Sequence, residues 1–215
     1  MLVSLTHSVE QAMGSDRMER MLEEAFQIHG KDRKGRKILL IVGKFFPAKE
    51  LMAGGGEAAL RSFLERRVLP ELQVGTTGFV VVYMHTGVER SENFPGVAAL
   101  RSAYESLPVA VRDGICAVYF LHPGLQARLF FATFGRFVFS AGLYAKLKYV
   151  NRLEFLWEHM RRWEVEVPEF VLDHDDELER RPLMDYCLVE SDRHHRSFDA
   201  PAMDSAAMHS LRCIY

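Results

Sequence analysis

The sequence predicts an α/β fold on a largely parallel sheet, and three observations carry that prediction. Three short apolar runs with β-branched centres recur along the chain: Ile38 to Phe46, Gly78 to His85 and Ile115 to His122. Segments with helical spacing separate them. A fourth, briefer run from Leu147 to Val150 follows a long apolar helical pattern. Strands alternating with helices indicate parallel neighbours, because a parallel strand is reached only through a crossover.

Taken in order, Val9 to His29 reads as a helix. Met13, Met18, Met21, Leu22, Ala25, Phe26 and His29 fall near one face, with charges opposite. The polar stretch Gly30 to Arg36 is a turn with two glycines. The first apolar run is then a buried strand. Pro47 and Gly54 to Gly56 mark a loop, and Leu60, Phe63, Leu64, Val68 and Leu72 give a helix from Glu57 to Leu72. After the second strand, Pro95 opens a helix through Val97, Leu100, Tyr104 and Leu107.

Pro123 opens the next helix, which runs to Phe139 with Leu125, Leu129, Phe130, Phe131, Phe134, Phe137 and Val138. It is apolar nearly all round. A helix packed on a sheet ordinarily shows a polar outer face, and here only Gln126, Arg128, Thr133 and Arg136 supply one. The helix is therefore either buried core or the wall of a pocket or interface. The strand Leu147 to Val150 follows, then Asn151 as the cap of a helix from Arg152 to Arg162, with Glu154 and the closing arginines suited to its dipole. A short extended stretch is expected near Phe170 to Leu172. The segment from Glu190 to Tyr215 has no clear period and by itself should be poorly ordered.

Composition narrows the function. The 215 residues suit one domain, and 27 Lys and Arg against 29 Asp and Glu leave no basic excess for nucleic acid. No apolar run is long enough to cross a bilayer, and the N-terminus lacks a secretory pattern. Cys116, Cys187 and Cys213 form no paired framework, which fits reduced thiols in a cytoplasmic setting. No nucleophile elbow, P-loop or dinucleotide fingerprint occurs. No catalytic residue, metal or cofactor is therefore expected. His174 beside Asp173, Asp175 and Asp176 does not make a metal site on an extended chain, where neighbours point to opposite faces. His122 ends a strand, and its expected role is structural.

Four elements in order resemble the divergent branch of the CRAL-TRIO (Sec14-like) family. They are a D-x-x-G-R turn (Asp32 to Arg36), a strand ending Leu121-His122-Pro123, a phenylalanine-rich helix leading to Lys146 to Val150, and the stretch Val167 to Asp175 followed by Arg181-Pro182-Leu183. That branch includes the BCH domains of Rho-regulating scaffolds and the domain that follows the macro domain in ganglioside-induced differentiation proteins. The resemblance spans Phe26 to Leu188. It implies an N-terminal helix (1–30), a divergent CRAL-TRIO domain (31–188) and a C-terminal tail (189–215).

It also implies a non-enzymatic module with a short apolar gate helix. The gate is shorter than in larger Sec14 proteins, which points away from lipid exchange and toward holding. Two functions stand side by side. One is binding of a lipid or other hydrophobic small molecule by Phe130, Phe134, Phe137, Val138 and Tyr144, driven by apolar burial at roughly 25 cal/mol per Å². The other is a protein-interaction scaffold for a small GTPase, for self-association or for a larger assembly. Lys31, Arg33, Lys34 and Arg36 are either a solvated turn or a contact for an acidic partner or lipid headgroup, with at most peripheral membrane contact.

Overall fold

A five-stranded sheet in the order β1-β2-β3-β4-β5 forms the centre of the computed structural model. The structure describes residues 2–52, 56–73, 77–138 and 141–180, with side chains for all but 2–13, 73, 97, 136–138 and 141. The expected tail and the Arg181-Pro182-Leu183 part of the family pattern lie outside the described residues. The first elements are α1 (Leu2–Ala25), β1 (Phe26–Lys31), β2 (Lys37–Val42) and α2 (Ala48–Met52). Next, α3 (Gly56–Phe63) runs through a wide turn into α4 (Leu69–Gln73), before β3 (Phe79–Met84). Then come α5 (Val97–Ser106), α6 (Val109–Gly114), β4 (Ile115–Leu121), α7 (Leu125–Val138) and α8 (Ala141–Tyr144). The last are β5 (Leu147–Val150), α9 (Leu153–Trp157) and α10 (Glu169–Arg180).

Strands β2 to β5 are parallel, and β1 pairs antiparallel with β2. The parallel strands follow one another in both sequence and space. Right-handed crossovers that all step the same way deliver their helices to one face. That face carries α2 to α8, together with α1. Leu39 and Val81 meet Leu22, Ala25, Leu60, Phe63 and Val68 there. The opposite face is closed by the chain after β5. Ile38, Leu40, Val42, Val80, Val82, Met84 and Leu121 pack against Leu153, Leu156, Met160 and Val171.

Three expectations are corrected. The helix read from Val9 to His29 ends at Ala25, and Phe26 to Lys31 form the edge strand β1. Phe26 and Ile28 pair with Ile41 and Leu39, so long-range pairing overrides the helical spacing. The helix read from Arg152 to Arg162 stops at Trp157, because Met160 bridges to Asp32 as extended chain. The stretch read as extended near Phe170 to Leu172 is the helix α10. It starts from Pro168, whose carbonyl accepts the amides of Val171 and Leu172 at 2.9 and 3.3 Å. Three short helices, α2, α6 and α8, had no counterpart in the sequence reading, which took 47–56 as a loop and 140–146 as a turn.

The D-x-x-G-R turn is a built joint. Gly35 sits at φ 79°, where glycine is unstrained. The buried Asp32 carboxylate accepts the amides of Lys34 and Arg36 at 2.9 and 2.8 Å, and the Arg36 guanidinium lies against its second oxygen at 2.7 Å.

Candidate functional site

One register line places five residues side by side across the sheet: Phe26, Ile41, Tyr83, Phe120 and Tyr149. Side chains two apart along a strand share a face, so this row points toward the crossover helices. Over β1 and β2 it is covered by α1 and α3, where Phe26 meets Phe46 and Phe63 with ring centroids 5.9 and 6.2 Å apart. Over β3 to β5 the cover is α7.

Under α7 a row of aromatic rings is in contact. Tyr83 and Phe120 stack at 5.2 Å, and His85 lies 5.1 Å from Phe120. Phe131 descends edge-on to Phe120 at 5.5 Å, and Tyr149 closes the row at 6.1 Å. Gly135 lies one turn beyond Phe131, and its bare backbone lets the Tyr144 ring lie against the helix; a Cβ there would overlap Tyr144. Phe131 and Gly135 thus make the inner stripe of α7.

A second stripe runs along the side of the same helix. Phe130 and Phe134 are one turn apart, with centroids 5.6 Å apart. Phe134 is half exposed at 51%, Tyr149 is 40% exposed, and Leu129 on the outer surface is 59% exposed. Of the five residues expected to line a pocket, the structure therefore brings Phe130, Phe134 and Tyr144 to this region. The side chains of Phe137 and Val138 lie outside the described residues. Sequence reasoning missed Tyr83, His85, Phe120 and Tyr149. Their signal was present, since alternate residues of neighbouring strands line one face once the register is known.

His85 is the polar exception. Its Nδ1 is buried and has no hydrogen-bond partner among the described residues. Burial lowers its pKa to about 4, so the ring is neutral at physiological pH. Burial also raises the Tyr83 phenol. The Tyr149 phenol is raised by burial and by neighbouring Tyr144, with Arg128 opposing. An aromatic face with one uncommitted imidazole suits an apolar ligand that carries a single polar group.

Polar groups at the neighbouring strand ends are committed differently. His122 stands at φ 50°, sparsely populated ground for any residue but glycine. Its Nε2–H donates to Asp175 Oδ1 at 2.9 Å, and its Nδ1 pairs with the Thr86 hydroxyl at 2.8 Å. Asp175 Oδ1 also accepts the Leu153 amide at 2.9 Å, so it caps α9 from another element, the role expected of Asn151. The Arg152 guanidinium reaches the Leu178 carbonyl at 2.7 Å. Burial raises the Asp175 carboxyl, but the His122 and Leu153 hydrogen bonds and the nearby cations hold it below its ordinary value. A threonine, a histidine and an aspartate in line share the order of a hydrolytic triad. Here Thr86 and His122 are 5% and 7% exposed, and the line ties α10 and α9 to the sheet.

The basic turn divides. Arg36 is engaged with Asp32, and Lys31, Arg33 and Lys34 are exposed. A groove of about 630 Å³ between α1 and the start of α10 is edged by Glu23, Glu24, Glu166 and Glu169. Its acidic rim does not suit an apolar ligand. Among the described residues no helix is long and apolar enough to cross a membrane.

The divergent CRAL/TRIO domain model matches residues 35–177, from the glycine of the first turn into α10. The chain belongs to the divergent CRAL/TRIO domain family. The match takes in the Gly35-Arg36 end of the turn, the Leu121-His122-Pro123 strand end and α7 described above. Ganglioside-induced differentiation-associated protein 2 of Xenopus tropicalis is 30% identical over 149 residues, covering 68% of this chain and 28% of that protein. A GDAP2 homolog of Drosophila melanogaster is 27% identical over 146 residues, covering 68% of this chain and 25% of its own length. Human Rho GTPase-activating protein 1 is 27% identical over 153 residues, covering 71% of this chain and 33% of its own length. The chain thus matches a quarter to a third of each of these relatives. Family and fold support a lipid-binding or protein-interaction module.

Proposed function

We propose that this CRAL/TRIO domain holds an apolar ligand with a single polar group between α7 and the aromatic row Tyr83, Phe120 and Tyr149, without catalysing a reaction. The observation that carries the reading is the pairing of that row with the buried His85 Nδ1, which has no partner among the described residues. Buried polar atoms are nearly always satisfied, and an orphan in an apolar site invites a ligand group. Phe130, Phe134 and Tyr144 form the side wall, and Phe137 and Val138 extend the same helix. A half-exposed Phe134 gives the ligand an apolar edge to cover.

Mass spectrometry of organic extracts from the purified protein tests this. The expected result is a stoichiometric lipid or fatty acid. Extracts free of lipid, together with no uptake of a fluorescent fatty acid, would refute the reading.

A second reading has its own support. Leu129, on the outer surface of α7, is too exposed to touch a ligand held beneath the helix. An outer apolar surface on the same helix suits a protein partner. One relative's name, Rho GTPase-activating protein 1, makes a small GTPase the first to try. Leu129→Asp would abolish such an interaction and leave lipid content unchanged.

A further inference from the structure

The edge of the molecule at the N-terminal ends of the parallel strands carries a surface that the apolar site does not use. The turn 31–34 runs beside residues 157–164. Asp32 bridges Met160, the Arg33 amide donates to the His159 carbonyl at 3.2 Å, and Arg33 Nη2 donates to the Trp157 carbonyl at 2.8 Å. The Lys31 amide donates to Glu164 Oε2 at 3.0 Å. The pairing gathers basic side chains that are far apart in sequence. Lys148 joins them with its Nζ 5.5 Å from the Tyr119 ring centre, against which His159 also packs at 4.8 Å.

Lys31, Arg33, Lys34, Lys148, Arg161 and Arg162 are all exposed. Near them stand the acidic residues Glu158 and Glu164, while Asp32 is bound to Arg36. The chain as a whole has a net charge of −2, so this excess is local. His159 registers the field: burial lowers its pKa, and Lys148, Lys34 and Arg36 push it further down against Glu158. At the tip of the surface is Trp163, 79% exposed, with the Arg161 guanidinium 6.0 Å from its ring.

We propose that this surface docks the domain on an anionic membrane, with Trp163 entering the headgroup layer. Basic side chains near a negative bilayer contribute about 1 kcal/mol each. An indole flanked by arginines is suited to the interface, where its ring is buried and its N–H remains hydrated. An acidic protein would use the same charges, but it would not need an indole displayed at the extremity. Trp163 therefore decides for the bilayer. Tyr119, Trp157 and Met160, which border this surface, pack on the sheet face opposite α7, so the proposal does not rest on ligand holding.

Vesicle co-sedimentation of the full chain tests it, using phosphatidylcholine alone and phosphatidylcholine with phosphatidylserine. Binding is expected only to the second and should weaken with salt. The double substitution Arg161→Glu/Arg162→Glu should reduce it by roughly tenfold or more. Trp157→Phe should keep a blue shift of tryptophan emission on vesicles, and Trp163→Phe should lose it. Arg161, Arg162 and Trp163 are exposed and Trp157 is half-buried against the core, so the melting temperature of each variant is compared with the wild type to verify folding. Equal binding to both vesicle types, or binding indifferent to the charge reversal, would overturn the proposal. So would binding of poly-glutamate without binding of vesicles, which would assign the surface to an acidic protein.

Discussion

The two faces of the sheet are finished in different ways. On the face covered by α9 and α10, Leu121, Leu156, Met160 and Val171 are fully buried, and the polar groups at the rim close on one another through Thr86, His122, Asp175 and Arg152. On the face covered by α7, rings meet rings, Phe134 stands half in solvent, and His85 keeps a buried nitrogen unpaired among the described residues. The first face, with its apolar centre packed and its rim knit by these hydrogen bonds, holds the fold together. A face with an unmatched donor or acceptor and an open aromatic edge has room in its energetics for something else.

That difference can be broken from either side. Leu156→Ala on the closed face should cost about 2–5 kcal/mol of stability, read from denaturant midpoints, because it empties a fully packed site. Acid should act next, through the open face. The His85 pKa lies below its unfolded value of 6.5, at about 4. The unfolded chain therefore takes up the proton first. Stability is full above pH 6.5, falls as pH drops from 6.5 toward 4, and loses about 3 kcal/mol in all from this residue. His29, His159 and His174 shift in the same direction, so His85→Leu should flatten the acid slope without removing it.

The lowered Asp175 carboxyl follows at lower pH. Its stabilisation is present above the ordinary carboxylate range and is lost as pH falls through its own depressed value. Asp175→Ala removes both the His122 contact and the α9 cap and should cost about 1–3 kcal/mol at neutral pH. Smallest of all, Phe134→Ala should change stability by only about 0.5 kcal/mol, since half of that ring is already in water.

The sequence exposed the open face more readily than the closed one. The strands β2, β3 and β4 announce themselves as β-branched runs, and α7 as a phenylalanine-rich helix after His122-Pro123. Elements defined by distant partners did not. Phe26 and Ile28 fit a helical period until β2 draws them into a ladder. Phe170 to Leu172 looks extended in isolation, yet Val171 and Leu178 are buried on one face of a helix, two turns apart. The cap supplied by Asp175 to Leu153 bridges 22 positions, which no local pattern encodes. The basic turn was legible as charge. That Arg36 is bound inward while Arg161 and Arg162 join the outward set depends on the Asp32–Met160 bridge.

The central claim is that the α7 face, and not exposed aromatic surface in general, holds the ligand. Phe155 offers the matched control, 45% exposed on α9 against 51% for Phe134 on α7. Titration of a fluorescent fatty acid into the wild type, Phe134→Ala and Phe155→Ala measures the difference directly. The account predicts roughly tenfold weaker binding for Phe134→Ala, the loss expected when a partly buried aromatic contact is removed, and an unchanged affinity for Phe155→Ala. Equal affinities in all three proteins, or no binding by the wild type, would contradict it.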